Sequence, residues 1–226
     1  MSKIWETLID VQQVLQQHFE KSGKEVYEPG MDRFNQPGWM NRVWTSENYR
    51  RAHIDVVDTR DNKNLWMMHC CIFPHIHNDA PIFGFDVIAG KNIITGCFHD
   101  YSVTVNKDHD MSNWFSQYVK NLSWRKQREL PDWANRIFSP SMVAASHVTC
   151  EIELQQISQM AKDTVKYYLD HVGKSNHRDV NTTVAQNFYA TNQKENPHTP
   201  RVMAKLGLNE DDIKVFIQDC LFPEVK

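Results

Sequence analysis

The chain has 226 residues, 41% of them hydrophobic and 23% charged, with a formal net charge of −3. That composition suits one globular domain over residues 1–226 with a sizeable core, and it offers no general electrostatic case for nucleic-acid binding. No apolar run is long enough to span a membrane, and the N-terminus lacks a signal-peptide pattern. The five cysteines, Cys70, Cys71, Cys97, Cys150 and Cys220, contain no C-x-x-C pair. Cys70 and Cys71 are neighbours in a strand-like stretch and point to opposite faces. A disulfide framework or an iron–sulfur site is therefore not expected, and a reducing cytoplasm fits best.

In chain order, Ile4, Leu8, Val11, Leu15 and Phe19 recur at helical spacing, with Ser2 placed as an N-cap. Residues 31–46 read as irregular and then extended. Residues 50–98 read as four strands of an antiparallel meander, with turns centred within residues 59–64, around His77-Asn78 and at Gly90-Lys91. A helix is expected over residues 111–124, beginning near Ser112, and a strand within residues 142–149. Residues 151–172 give the clearest helix, with Ile152, Leu154, Ile157, Met160, Val165, Tyr168 and Leu169 on its apolar side. Residues 192–200, polar and with two prolines, read as a loop. Asn209 caps a last helix, with Asp211 and Asp212 in its first turn where negative charge suits the dipole. The economical architecture is a central antiparallel sheet with helices on its faces.

Folding the meander about its turn centres sets Asp55 opposite His69, His69 opposite Asp86, and Asp86 opposite Thr95. Directly opposed residues lie with Cβ atoms roughly 4.5–5.5 Å apart, so Asp, His and Asp would be coupled titrating neighbours in otherwise apolar strands. A one-residue slip in any hairpin would turn that side chain to the other face. Two carboxyl groups beside an imidazole suit proton delivery, because burial and a second carboxylate both raise a carboxyl pKa. The same row could instead face solvent in an interaction domain; the accessibility of Asp86 separates the two. The chain carries no G-x-G-x-x-G, Walker A or G-x-S-x-G motif, which argues against a built-in dinucleotide or P-loop site. His75 and His77, with Asp79 nearby, fall short of a metal-ligand set. Electrons for any redox chemistry would come from outside.

Three blocks carry a resemblance. The stretch Met68-His69-Cys70-Cys71-Ile72-Phe73-Pro74 followed by Pro81-Ile82-Phe83-Gly84-Phe85-Asp86-Val87-Ile88-Ala89-Gly90 is the first. Gln127-Arg128-Glu129-Leu130-Pro131-Asp132-Trp133 with Ile137-Phe138-Ser139 is the second, and Glu195-Asn196-Pro197-His198-Thr199-Pro200-Arg201-Val202-Met203 the third. Together and in this order they resemble the ferredoxin-dependent bilin reductases across essentially the whole chain. Within that family the chain is most similar to the phycocyanobilin-forming branch and to the phage-type phycoerythrobilin-forming branch beside it.

The resemblance implies a three-layer α/β/α sandwich with a central antiparallel sheet flanked by helices, in a cytoplasmic monomer. It implies no intrinsic metal or flavin, with a plant-type [2Fe-2S] ferredoxin delivering electrons singly and the enzyme protonating bilin radicals. Biliverdin IXα would lie between the sheet and the helices on one face. His69 and Asp86 match the proton-handling pair, and Asp55 stands where phycocyanobilin-forming members carry a glutamate. Arg128 and Thr95 match propionate-holding positions, Asn196 and Val202 match pocket-lining positions, and His198 replaces a propionate-gripping lysine. Aspartate is one methylene shorter than glutamate and should reach the D-ring vinyl group poorly. The expected reaction is thus the four-electron reduction of biliverdin to phycoerythrobilin via 15,16-dihydrobiliverdin. Asn196 argues the other way, since other phycoerythrobilin-forming members carry aspartate in that loop. Reduction of the D-ring vinyl group and A-ring to phycocyanobilin is the alternative. A bilin-binding or transfer protein without turnover is the non-enzymatic one, although a carrier has no need of the Asp55–His69–Asp86 row.

Overall fold

The computed structural model describes residues 2–28, 30–175 and 179–226. The first helix, α1 (Lys3–Ser22), buries Ile4, Leu8, Val11, Leu15 and Phe19 along one stripe. Ser2 is its N-cap residue but makes no side-chain cap bond; its hydroxyl donates instead to the Lys91 carbonyl. Seven strands follow: β1 (Lys24–Val26), β2 (Trp39–Thr45), β3 (Tyr49–Thr59), β4 (Leu65–Pro74), β5 (Ile82–Gly90), β6 (Ile93–Ser102) and β7 (Val143–Ala145), with the one-turn helix α2 (Arg60–Lys63) joining β3 to β4. They pair antiparallel in sequence order, so the expected meander is the middle of a larger one.

Alternation of side chains gives the sheet two apolar faces. Trp66, Met68, Cys70, Phe83, Phe85, Val87 and Tyr101 pack with residues of α1, α3 (Asp110–Val119) and α5 (Glu151–His171). On the other face, Trp39, Val43 and Val57 pack with Met203, Phe216, Leu221 and Phe222, while Cys71, Phe73 and Ile82 pack with Ile137 and Tyr189. That side is covered by α4 (Asp132–Asn135), α6 (Thr183–Gln193), α7 (His198–Leu206), and α8 (Glu210–Val215) running into a π-helical turn at Phe216–Leu221. The result is the three-layer α/β/α sandwich, with Cys70 and Cys71 in different layers as expected.

Local expectations needed correction in several places. The helix expected from Ser112 starts at Asp110, because the His109 imidazole Nδ1 accepts the Met111 N–H at 3.0 Å. Ile152 is not on the packed side of α5 but 75% exposed. The loop expected over residues 192–200 is short, because α6 runs to Gln193 and α7 starts at His198. Pro200 sits in the first turn of α7, where no intrahelical donor is required. Asn209 does cap α8, its side-chain oxygen accepting the Asp212 N–H at 2.8 Å. Among the described residues no helix is long and apolar enough to cross a membrane.

Candidate active site

The register brings three of the four row residues together. Asp55 on β3 pairs with His69 on β4, and His69 pairs with Asp86 on β5. The fourth pairing is different: Asp86 faces Phe98, not Thr95. The β5–β6 turn is Lys91-Asn92, closed by Gly90 and Ile93, rather than Gly90-Lys91. The register then shifts between Ile88 and Ala89, whose partners are Gly96 and Ile94, so Thr95 is the extra, unpaired residue of a bulge. Its hydroxyl donates to the Ile88 carbonyl at 3.1 Å.

The row lies on the face covered by α6 to α8, closed off at Asp55 and open in part at His69 and Asp86. Asp55 is 1% exposed, while His69 and Asp86 are partly buried. The ring of Phe222 closes edge-on over His69, with centroids 5.4 Å apart. Burial pushes Asp55 up to about 7; the Trp39 hydrogen bond opposes this and the neighbouring Asp86 charge adds to it. Burial likewise pushes Asp86 up to about 7 against a backbone bond from Val87. Burial, helped by the Arg51 guanidinium, lowers His69 to about 4, so its imidazole is neutral near pH 7. Two carboxyl groups therefore hold protons near neutral pH on either side of a neutral histidine.

Sequence reasoning missed the shell behind this row. The Trp39 indole N–H donates to Asp55 Oδ1 at 2.6 Å, and the His53 ring approaches His69 with centroids 6.4 Å apart. Asn41 pairs across strands with Asp55 and lies 3.0 Å from His53 Nε2. With its amide nitrogen turned inward, Asn41 also reaches Asp55 Oδ1 at 3.3 Å. Arg51, 3% exposed, forks onto Glu28 at 2.8 Å and donates to the Cys220 carbonyl at 2.7 Å. His53 and Arg51 stand two and four residues before Asp55 on one strand, so period-two counting would have found them. His53 Nδ1, His69 Nδ1 and one Arg51 nitrogen have no hydrogen-bond partner among the described residues. Buried polar atoms are normally satisfied, so these mark where a polar ligand would be welcomed.

Arg128 and Thr95 lie together beyond Phe98: the guanidinium donates to the Thr95 carbonyl at 2.9 Å and sits 5.7 Å from the Phe98 ring centre. Thr95 and Val202 line one cavity of about 430 Å³, between the hairpin ends and α7. The Asn196 side chain accepts the His198 N–H at 3.0 Å, which organises the start of α7, and the His198 ring is exposed. His75 and His77 bond the carbonyls of Ser46 and Val180, and Asp79 accepts from Asn106, so each serves the local fold. Arg125 is held by Glu153 at 3.0 Å and by Thr149 at 3.1 Å.

The family profile described as ferredoxin-dependent bilin reductase matches residues 9–223. The chain belongs to that family. It is therefore a ferredoxin-dependent bilin oxidoreductase, and ferredoxin is its electron donor. A solved structure of PcyX is 36% identical, covering 97% of this chain and 99% of its own, with a TM-score of 0.73. A phycocyanobilin:ferredoxin oxidoreductase of Gloeobacter violaceus is 23% identical over 81% of this chain and 73% of its own length. One from Synechococcus sp. is 28% identical over 73% of this chain and 68% of its own. The fold is shared with tomato phytochromobilin synthase in complex with biliverdin, at 16% identity and a TM-score of 0.75 over 93% of this chain and 82% of that one.

Proposed function

We propose that this bilin reductase domain, residues 1–226, carries out the four-electron reduction of biliverdin IXα to phycoerythrobilin via 15,16-dihydrobiliverdin. The observation that carries the reading is the Asp55–His69–Asp86 row, with both carboxyl groups held near pH 7 beneath a helical cover. Each added electron raises the basicity of the conjugated bilin, and a carboxylic acid within reach can then protonate the radical. Asp86 is the direct donor, and neutral His69 hydrogen-bonds the lactam oxygens and shares the proton. Asp55 tunes that pair. Thr95 and Arg128 hold propionate, where the fork of a guanidinium suits a carboxylate. Asn196, His198 and Val202 form the closing side, without the lysine that would grip a second propionate.

Four electrons from reduced plant-type [2Fe-2S] ferredoxin and four protons balance the conversion. No metal or flavin of the protein's own takes part, and the enzyme acts as a cytoplasmic monomer. The covered site suits radical chemistry because it keeps water from the intermediate. Asp55 is short and tied back toward β2 by Trp39, which supports C15 reduction over D-ring vinyl reduction. The curated relatives favour the second reading, phycocyanobilin formation, since their names state that product. Anaerobic incubation with biliverdin, ferredoxin and a ferredoxin-reducing system, followed by chromatography of the bilins, decides between them. Phycoerythrobilin is expected; phycocyanobilin would overturn the regiochemistry, and unreacted biliverdin would overturn the activity.

A further inference from the structure

The two carboxyl groups of the row differ in what donates to them. Asp55 receives the Trp39 indole N–H at 2.6 Å and has the Asn41 amide within 3.3 Å. Asp86 is opposed across the sheet by Phe98 and receives a backbone bond from Val87, but no side-chain hydrogen bond among the described residues. Trp39 cannot act as an acceptor, so its bond favours an anionic partner. It is also rigidly placed: Phe34 and Phe216 pack against its ring with centroids 5.8 Å and 4.9 Å away, and it is 5% exposed. The other ionisable groups around the pair are His69 and His53, Arg51 with its partner Glu28 beside the imidazoles, and the Cys97 thiol, which burial and then the Asp86 charge push up so that it stays neutral. Arg51 is taken up by Glu28 and both imidazoles are neutral, so none of them breaks the symmetry of the two carboxyl groups as Trp39 does.

We propose that Trp39 is a positioning residue for proton delivery: its indole N–H makes Asp55 the first of the two carboxyl groups to ionise, so that the proton kept by the singly ionised pair resides on Asp86. Two nearby buried carboxylates do not both ionise readily, and the one supplied with a donor loses its proton first. The inference rests on Asp86 being the donor to the bilin, and it adds the device that loads it. On each protonation the O–H bond of Asp86 breaks, a C–H or N–H bond of the bilin forms, and the negative charge stays on Asp86 until solvent returns a proton.

Infrared spectra of the protein without substrate test the proton's place independently of any reaction. At pH 7 a protonated-carboxyl C=O band is expected that disappears in Asp86→Asn and survives in Asp55→Asn. The reverse pattern, or no such band, overturns the proposal. The indole N–H resonance of Trp39 should move as the pair titrates and become independent of pH in Asp55→Asn; a resonance that is static in the wild type contradicts the proposal. Trp39→Phe keeps the ring and removes the N–H. It should shift the alkaline limb of the kcat profile down by about one pH unit, a tenfold change in proton occupancy. In an Asp55→Asn background it should shift nothing further, which a merely structural role would not produce. A wild-type profile in Trp39→Phe, or additive effects, overturns the assignment. Should Trp39→Phe fail to fold, the infrared and resonance tests on Trp39-containing protein still decide. Failure of turnover with the expected infrared pattern would instead count against the bilin reaction.

Discussion

Replacing Asp55 with asparagine should stabilise the protein, and the gain should depend on pH in a defined way. In the folded chain Asp55 is 1% exposed and its carboxyl is raised from 3.8 to about 7, mainly by burial. A raised carboxyl pKa means that the folded state keeps a proton the unfolded state has already lost. The stability this provides is complete below pH 4, falls as pH rises through about 7, and is flat above that. Moving the carboxyl from 3.8 to about 7 corresponds to about 4 kcal/mol at most, and because part of it is repulsion from Asp86 the contribution of Asp55 is about 2–4 kcal/mol. The substituted asparagine would escape that loss while its amide oxygen still accepts from Trp39. Thermal melts of wild type and Asp55→Asn should coincide near pH 4 and separate by roughly 5–15 °C at pH 8 for a chain of this size. Equal melting temperatures at pH 8, or a variant that is less stable there, would refute the buried high-pKa carboxyl on which the site reading depends.

Other consequences follow from named contacts. Asp55→Glu lengthens the side chain beyond the reach of Trp39, and the bilins it forms should include product reduced at the D-ring vinyl group; slower turnover with unchanged products would make Asp55 a tuning group only. Arg128→Gln should weaken biliverdin binding by about 10- to 100-fold, the worth of one charge-assisted bond, while leaving its dimethyl ester little affected; equal loss for both would place the propionates elsewhere. Lys126→Glu should raise the apparent Km for ferredoxin at low ionic strength, because acidic partners are steered by exposed cations. Arg125 is a poor choice for that test, since Glu153 already engages it.

Much of the fold is legible because the loops of the first two hairpins are centred by Asp, Asn and Pro, which fixes the register that joins Asp55, His69 and Asp86. The third hairpin fails for a physical reason. Ile93-Ile94-Thr95-Gly96-Cys97 does not alternate, and a bulge adds one residue that no turn centre reveals. Thr95 still meets Arg128, whose guanidinium donates to its carbonyl, through that bulge rather than through the ladder. The start of α7 is hidden because Pro197 and Pro200 look like loop residues, although both fit a helix start. The Trp39–Asn41–His53 shell depends on the β2–β3 register, and residues 31–46 give only an extended stretch. Nothing in their pattern says that an indole N–H ends 2.6 Å from Asp55.

Asp86→Asn in the presence of biliverdin tests proton delivery by the row most directly. Asparagine keeps the shape but has no proton to give, and a missing general acid costs about 10²- to 10⁴-fold in rate. With reduced ferredoxin under anaerobic conditions, the variant is expected to bind biliverdin, accept an electron and accumulate the absorption of a bilin radical, while wild type proceeds to product. Full conversion by Asp86→Asn at the wild-type rate would contradict the account.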